Sequence, residues 1–497
     1  MSLPRRSFLR HAALGAAGLG LAREAVAALP EFAADRPEPF WEAVRALYPL
    51  EPGFTYFNTG GLGSTPTPVL ERVAEVTRRL QAKAEHGHAQ FTAARADVAR
   101  FLGADPAEVA FVRNATEANA TVAAGLPLRA GDEVIFEAHA HPGGSFAWLQ
   151  AARVRGVVVR TFEPDARSAA VNLARLTALV GPRTRVVQLS HITAPTGITL
   201  PARAVADLCR SRGIWFHLDA AQSAGMVPVD FTALGCDSLA VSGHKWIGGP
   251  LETGVLCVRR ARQEELEPPL VGAHSGDLDP TGRFALSPGA LRYEYGTRNV
   301  AAALGLAEAM RLQERIGRDR IAARGRQLAA RAHAGLAALP GVEVLSPDAP
   351  DLRAAMVTFR TARIPHDRLF GLLLREKSIR ARPVTEEKLN ALRVSTHLCN
   401  SPAQVDALVA AVGEFLRQLR WVAHLRFADD EETREQVHDV GGILVALSLA
   451  ELPCKLIAPL PQLNAGLVRI GIDDKHVVES IVLLEMLAQL LGVGFRL

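Results

Sequence analysis

Cysteine is scarce in this chain. There are five in 497 residues, at positions 209, 236, 257, 399 and 454, an odd number scattered without metal-ligand spacing. That excludes a disulfide framework and assigns no metal ligands. Cys236 and Cys257 sit in apolar runs, where a small buried hydrophobe is the default role. A surplus of one charge is missing as well. The net charge is +4, and Arg5, Arg6, Arg10 and Arg23 against Glu24 supply most of it within residues 1–27. The remainder is near neutral and gives no support to nucleic-acid binding. Long apolar runs are absent too. The stretch 12–22 is about half of the ~20 residues that cross a bilayer. Residues 477–491 are interrupted by Glu479, Glu485 and Gln489 and read as a packed helix. No membrane span is expected.

What is present begins with Pro4-Arg5-Arg6-Ser7-Phe8-Leu9-Arg10, followed by the short apolar stretch and Ala25-Val26-Ala27. A basic start, an apolar middle and a small-residue site make a twin-arginine export signal over residues 1–27, cleaved after Ala27. The expected destination is the periplasm. Residues 28–65, rich in Pro and acid up to Pro52, read as an N-terminal arm or short helix leading into Thr55-Tyr56-Phe57-Asn58.

Seven strand-like apolar runs follow, at 108–112, 133–136, 157–162, 185–189, 214–218, 238–241 and 254–258, separated by helical patterns. The alternation predicts an α/β large domain over 66–300, built on a mostly parallel sheet covered on both faces. Ligands of such sheets bind beyond the carboxyl ends of the strands. Residues 299–339 have helical periodicity and predict one long helix leading into a smaller α+β domain over 301–419. Strands are expected there at 342–345, 355–359 and 392–394, with a closing helix at 406–419. Residues 420–497 form an extension with apolar runs of its own and no legible role.

The chemistry lies at the ends of two of these runs. Asp219 closes one, and Ser242-Gly243-His244-Lys245-Trp246 closes another, with Lys245 falling 26 residues after Asp219. A lysine can form an imine with an aldehyde, and an aspartate can hold a pyridinium nitrogen charged. Pyridoxal 5'-phosphate (PLP) needs both. In this ordered set the chain resembles the class V aminotransferase family of fold-type I PLP enzymes, which includes cysteine desulfurases and isopenicillin N epimerase-like proteins. The resemblance spans roughly residues 50 to 418. It implies a fold-type I PLP-dependent transferase with a seven-stranded large domain. It also implies that Lys245 binds the cofactor aldehyde, that Asp219 pairs with the ring nitrogen and that Gln222 bonds the ring 3-oxygen.

The phosphate needs N–H and hydroxyl donors, preferably at a helix N-terminus. Arg113-Asn114-Ala115-Thr116-Glu117-Ala118 opens such a helix, so Thr116 and the amide of Glu117 suit that duty. Thr116 also reads as a plain N-cap. The resemblance adds Ser242 and His244 to the phosphate. It also likens Gly296-Thr297 to a segment whose threonine reaches the phosphate of the neighbouring subunit, which implies a homodimer with shared active sites. The resemblance also implies a ring stacking on the cofactor face from His139-Ala140-His141-Pro142-Gly143, with His141 preferred over His139 by its register with the Pro-Gly. Arg393, in Leu392-Arg393-Val394-Ser395, resembles the arginine that grips a substrate α-carboxylate, a task that favours the guanidinium fork.

Two departures bear on the reaction. The desulfurase pattern expects asparagine near Ala194, so Thr193 or Thr196 must substitute, or substrate anchoring differs. Between Arg353 and Arg393 there is no cysteine, and Cys399 follows Arg393 in a helix-leading turn, so persulfide chemistry is disfavoured. Asn58-Thr59-Gly60-Gly61-Leu62-Gly63 with Pro66 looks like the opening of isopenicillin N epimerase-like members, which places Asn58 on the substrate. Glycines here would let the backbone approach closely. The expectation is a PLP enzyme acting on an amino acid or amino-acid-derived substrate by Cα proton abstraction through Lys245. Epimerisation and transamination are close rivals, a β-lyase stands third, and a non-catalytic PLP-fold protein is the remote alternative.

Overall fold

The computed structural model describes residues 29–424. The export signal at 1–27, the extension beyond residue 424 and Cys454 lie outside the described residues. All seven anticipated runs form one sheet. Its spatial order is Val109–Val112, Gly254–Val258, Ser238–Ser242, Trp215–Asp219, Thr184–Ser190, Glu133–Glu137, Val158–Phe162. Pairing is parallel except at Gly254–Val258, which is antiparallel to both neighbours.

Successive side chains point to opposite faces of this sheet. Val109, Phe111, Phe216, Leu218, Leu239 and Val241 enter one core, while Ala110, Val112, Trp215 and Ala240 enter the other. Helices Ala115–Gly125 and Pro142–Arg155 cover the second face; Phe91–Leu102, Ala202–Arg212 and Val300–Ile316 cover the first. Burial on both sides is why these strands, the largely exposed edge strand Val158–Phe162 apart, read as apolar runs instead of alternating ones.

The single long helix expected over 299–339 is two, Val300–Ile316 and Arg318–Ala337. Gly317 separates them at φ +99°, a backbone conformation open to glycine and costly for other residues. Residues Val300 to Met310 pack in the large-domain core, whereas Leu328, Ala329, Ala332 and Leu336 pack in that of the small domain. Between them Leu312, Ile316 and Ile321, on either side of Gly317, pack with Phe40, Trp41 and Val44 of the arm.

The small domain is a four-stranded antiparallel sheet in the order Val342–Val344, Met356–Thr361, Ala391–Ser395, Arg382–Val384. The last of these strands was not anticipated. Its closing helix, Pro402–His424, starts earlier than 406 and runs past 419. The arm contributes a helix, Glu38–Arg45, and a strand, Thr55–Tyr56, which pairs with Ile379–Arg380. Cys209, Cys236, Cys257 and Cys399 are free and buried. Among the described residues no helix is long and apolar enough to cross a membrane.

Candidate active site

A cavity of about 260 Å³ opens where the carboxyl ends of the parallel strands meet the small domain. Asp219 and Ser242 are the last residues of their strands, and Lys245 follows Ser242 in a tight turn. Thr116 and Asn119 come from the first turns of Ala115–Gly125. His141 caps Pro142–Arg155, its Nδ1 accepting from the Gly143 amide at 3.0 Å. Arg393 and Arg382 come from the small-domain sheet. All line the cavity, together with Gln222 and His244.

Asp219 is fixed by more than its strand. Its Oδ1 accepts from the Ala221 amide at 2.9 Å and its Oδ2 from Asn119 Nδ2 at 2.8 Å. Behind Asn119 a buried chain continues: Asn119 Oδ1 to His217 Nε2 at 2.7 Å, His217 Nδ1 to Ser238 Oγ at 2.7 Å, and Ser238 Oγ to Trp215 Nε1 at 2.9 Å. Its polarity is set from both ends. Indole nitrogen only donates, and a carboxylate only accepts. Burial pushes the His217 imidazole down to about 4, with Asp219 opposing, so the ring is neutral at pH 7 and carries one proton. His217 therefore donates from Nε2 to Asn119 and accepts at Nδ1 from Ser238. Every link points its hydrogen toward the Asp219 carboxylate.

Lys245 shows part of its surface to the cavity, yet lies deep enough that burial lowers its pKa to about 8. Arg393 and Arg382 push the same way and Asp219 opposes them. An amine must be neutral to attack an aldehyde. The rate at which cofactor-free protein captures PLP is therefore expected to rise with pH through a midpoint near 8, not near the usual lysine value. Stopped-flow absorbance from pH 6 to 10 measures it; a midpoint above 10 would remove this account of Lys245.

The structure brings Lys245, Asp219, Gln222, Ser242, His244, Thr116, His141 and Arg393 to one cavity wall, and it leaves three anticipated residues off it. The Glu117 amide is taken by the Asn114 side-chain cap at 2.9 Å, and the Glu117 carboxylate turns to Arg113 and Arg298. Asn58 stands behind the wall, its Oδ1 3.5 Å from Arg393 Nη2, so it touches the arginine and not the cavity. Thr297 lines a separate cleft with Tyr295, Arg298 and Arg113. His139 is also elsewhere, buried between Thr196 Oγ1 at 2.9 Å and Glu163 at 3.0 Å.

Neither threonine replaces the asparagine missing at Ala194. Thr193 and Thr196 are buried and bond each other at 2.8 Å. Ala194 instead offers its carbonyl to Arg393 Nη1 at 2.6 Å. Gly60 is needed for this packing: a Cβ there would come within 2.9 Å of Arg393 Nη2 and 3.1 Å of Gln222 Oε1. The glycines of this loop thus let the backbone approach the cavity's own side chains. Cys399 is buried outside the cavity wall, its thiol pushed up to about 12 by burial.

These residues fit PLP. A lysine amine with a lowered pKa and an oriented carboxylate share the cavity. The Thr116 and Ser242 hydroxyls sit at a helix N-terminus, which suits a phosphate, and the buried Nδ1 of His244 has no protein partner. Gly143 keeps that end open, since a Cβ there would fall 2.4 Å from Thr116 Oγ1.

The family model "Aminotransferase class-V" matches residues 66–408. The chain is 34% identical to isopenicillin N epimerase of Streptomyces clavuligerus over 64% of this chain and 84% of that protein. It is 32% identical to the isopenicillin N epimerase of Amycolatopsis lactamdurans over 75% of this chain and 98% of that one. Among solved structures it resembles the apo cysteine desulfurase of Thermococcus onnurineus NA1, with TM-score 0.69 and 28% identity over 76% of this chain and 98% of that chain. It also resembles a mutant of C-DES with glycine covalently linked to the PLP cofactor, with TM-score 0.69 and 29% identity over 74% of this chain and 99% of that chain.

Proposed function

The chain belongs to the class V aminotransferase family of PLP-dependent enzymes, and from that premise we propose that it is an isopenicillin N epimerase-like isomerase acting on an amino acid or amino-acid-derived substrate. The observation that carries the proposal is the cavity wall itself. It holds a lysine whose amine is partly neutral near pH 8, and among the described residues no cysteine lines it. When bound, PLP supplies an aldehyde for an amine and a ring that draws electron density from the substrate's Cα. Arg393 takes the α-carboxylate and so fixes which Cα bond faces Lys245. Lys245 would remove the Cα proton from the face it lines, and epimerisation then requires a proton to be delivered to the opposite face of Cα. Asp219, held by Ala221 and Asn119, stabilises positive charge on the ring nitrogen. Thr116, Ser242 and His244 hold the phosphate, Gln222 the ring oxygen, and His141 covers the ring face.

Incubation with enantiopure amino acids in deuterated water tests this. The expected result is Cα deuteration with loss of optical purity and without stoichiometric 2-oxo acid, pyruvate or sulfide. Accumulation of 2-oxo acid with amino transfer would favour the aminotransferase. Persulfide chemistry requires an accessible thiolate, which Cys399 does not offer. Cys399→Ser is therefore expected to retain most of the activity, because Cys399 lies outside the cavity wall. Cysteine-dependent sulfide release by the wild type, lost in Cys399→Ser, would move the chain to the desulfurases.

Two further parts belong to the proposal. Exposed Leu270, Val271, Leu278 and Phe284 near the hairpin Gly276–Leu278/Phe284–Leu286 support a homodimer, with Thr297 completing the partner's phosphate site. The arginine pair and small-residue site of residues 1–27 support export to the periplasm by the twin-arginine route.

A further inference from the structure

The cavity carries one arginine more than an α-carboxylate needs. Arg382 and Arg393 are direct partners in the antiparallel pairing of Arg382–Val384 with Ala391–Ser395. Directly opposed residues put their side chains on the same sheet face, and like charges so placed repel. Arg393 is 1% exposed, so little water screens the pair.

The donors can be followed one by one. Among the described residues, Arg393 gives Nη1 to the Ala194 carbonyl, while Nε has no protein partner and Nη2 has only the 3.5 Å contact to Asn58. Nε and Nη2 together form the fork that one carboxylate fills bidentately. Arg382 gives Nη2 to Glu386, and its buried Nη1 has no protein partner among the described residues. Once an α-carboxylate takes the Arg393 fork, the Arg382 donor is left over. A buried charged donor without an acceptor is costly. Glu386 does not cancel the field of Arg382 in the cavity, because Arg382 outweighs it at both Arg393 and His141.

We propose that the substrate carries a second anionic group, read by Arg382 while Arg393 holds the α-carboxylate, so that the preferred substrate is a dicarboxylic amino acid or a compound presenting the same two carboxylates. This rests on the proposed function above. Arg382 is then a specificity residue, and Glu386 holds one edge of its guanidinium so that the other faces the ligand.

The full-length, PLP-loaded protein is titrated with L-glutamate, L-2-aminoadipate, L-glutamine and L-norleucine, following the visible cofactor band. Wild type is expected to bind the two dicarboxylates at least about tenfold more tightly than the neutral pair, the contribution of one charge-assisted contact. Arg382→Gln should erase that preference while leaving the neutral amino acids within about twofold, and Arg382→Lys should restore part of it. Equal binding of neutral and dicarboxylic ligands by wild type overturns the inference and leaves the enzyme assignment standing. Equal weakening of all four ligands in Arg382→Gln also overturns it, and makes Arg382 part of the α-carboxylate clamp. A wild-type band that no amino acid perturbs removes the proposed function itself, and the inference with it.

Discussion

Lys245→Ala is expected to lose turnover and the visible absorbance of covalently bound cofactor while keeping the fold. Only an ε-amine in this cavity can bond the aldehyde and also take the Cα proton, and loss of the base alone is worth about 10²–10⁴ in rate. The backbone of this turn is held independently of the side chain. The Lys245 carbonyl accepts from the Gly248 amide at 3.1 Å, and the His244 carbonyl accepts from the Gly63 amide at 2.8 Å. Truncation at Cβ therefore leaves the turn in place, and circular dichroism should not change. The chain has six lysines, and of those described only Lys245 lines the cavity. Lys83 ends the helix Thr67–Lys83, and Lys377 pairs with Glu414 at 2.7 Å. Borohydride reduction and peptide mapping of the wild type should place the pyridoxyl group on Lys245. A label on another lysine, or a surviving band in Lys245→Ala, would sink the central assignment.

The parts of the site legible in the sequence are those carried by strand ends. A strand buried on both faces announces itself as an apolar run, and a polar residue ending the run, such as Asp219 or Ser242, stands out against it. Contacts made across the fold leave no such mark. Asn119 and His217 are ordinary members of a helix and a strand in sequence, and only folding puts them in line behind Asp219. Arg382 leaves no mark in the sequence for another reason. Pro383 argues against a central strand, and here it sits on an edge strand, where the missing N–H is tolerated. A helix N-terminus offers donors to a ligand and to its own cap alike, and here the Asn114 side chain takes the Glu117 amide. Gly317 marks the remaining difference: helical periodicity continues past it, so one glycine in an Ala-rich run reads as tolerated and proves to be a break.

Asp219→Asn is the second change expected to have a large effect, and the network behind Asp219 makes it a clean probe of charge. The carboxylate accepts from the Ala221 amide with one oxygen and from Asn119 with the other. A carboxamide turns one of those acceptors into a donor, which would face the Asn119 amino group. The chain can reverse to remove that conflict. Asn119 flips its amide, His217 changes tautomer so that Nε2 accepts, and Nδ1 then donates to Ser238, whose oxygen already accepts from Trp215. The reversal costs the Gly143 carbonyl its 3.2 Å donor from Asn119 and leaves the Ser238 hydroxyl hydrogen without an acceptor, a loss of about 1–3 kcal/mol per buried group, so the fold and PLP binding should survive at reduced stability. The negative charge opposite the ring nitrogen does not survive. Electrostatic stabilisation of developing charge is commonly the largest catalytic contribution, and losing one such group costs about 10²–10³ in rate. The expected outcome is a cofactor-loaded protein with a normal circular dichroism spectrum and Cα–deuterium exchange slowed by about that factor. His217→Ala should fall between this variant and wild type, because it removes the support for Asn119 and leaves the carboxylate. If Asp219→Asn exchanges Cα protons at a near-normal rate, the partner of the ring nitrogen lies elsewhere, and the hydrogen-bonded chain from Trp215 to Asp219 serves packing alone.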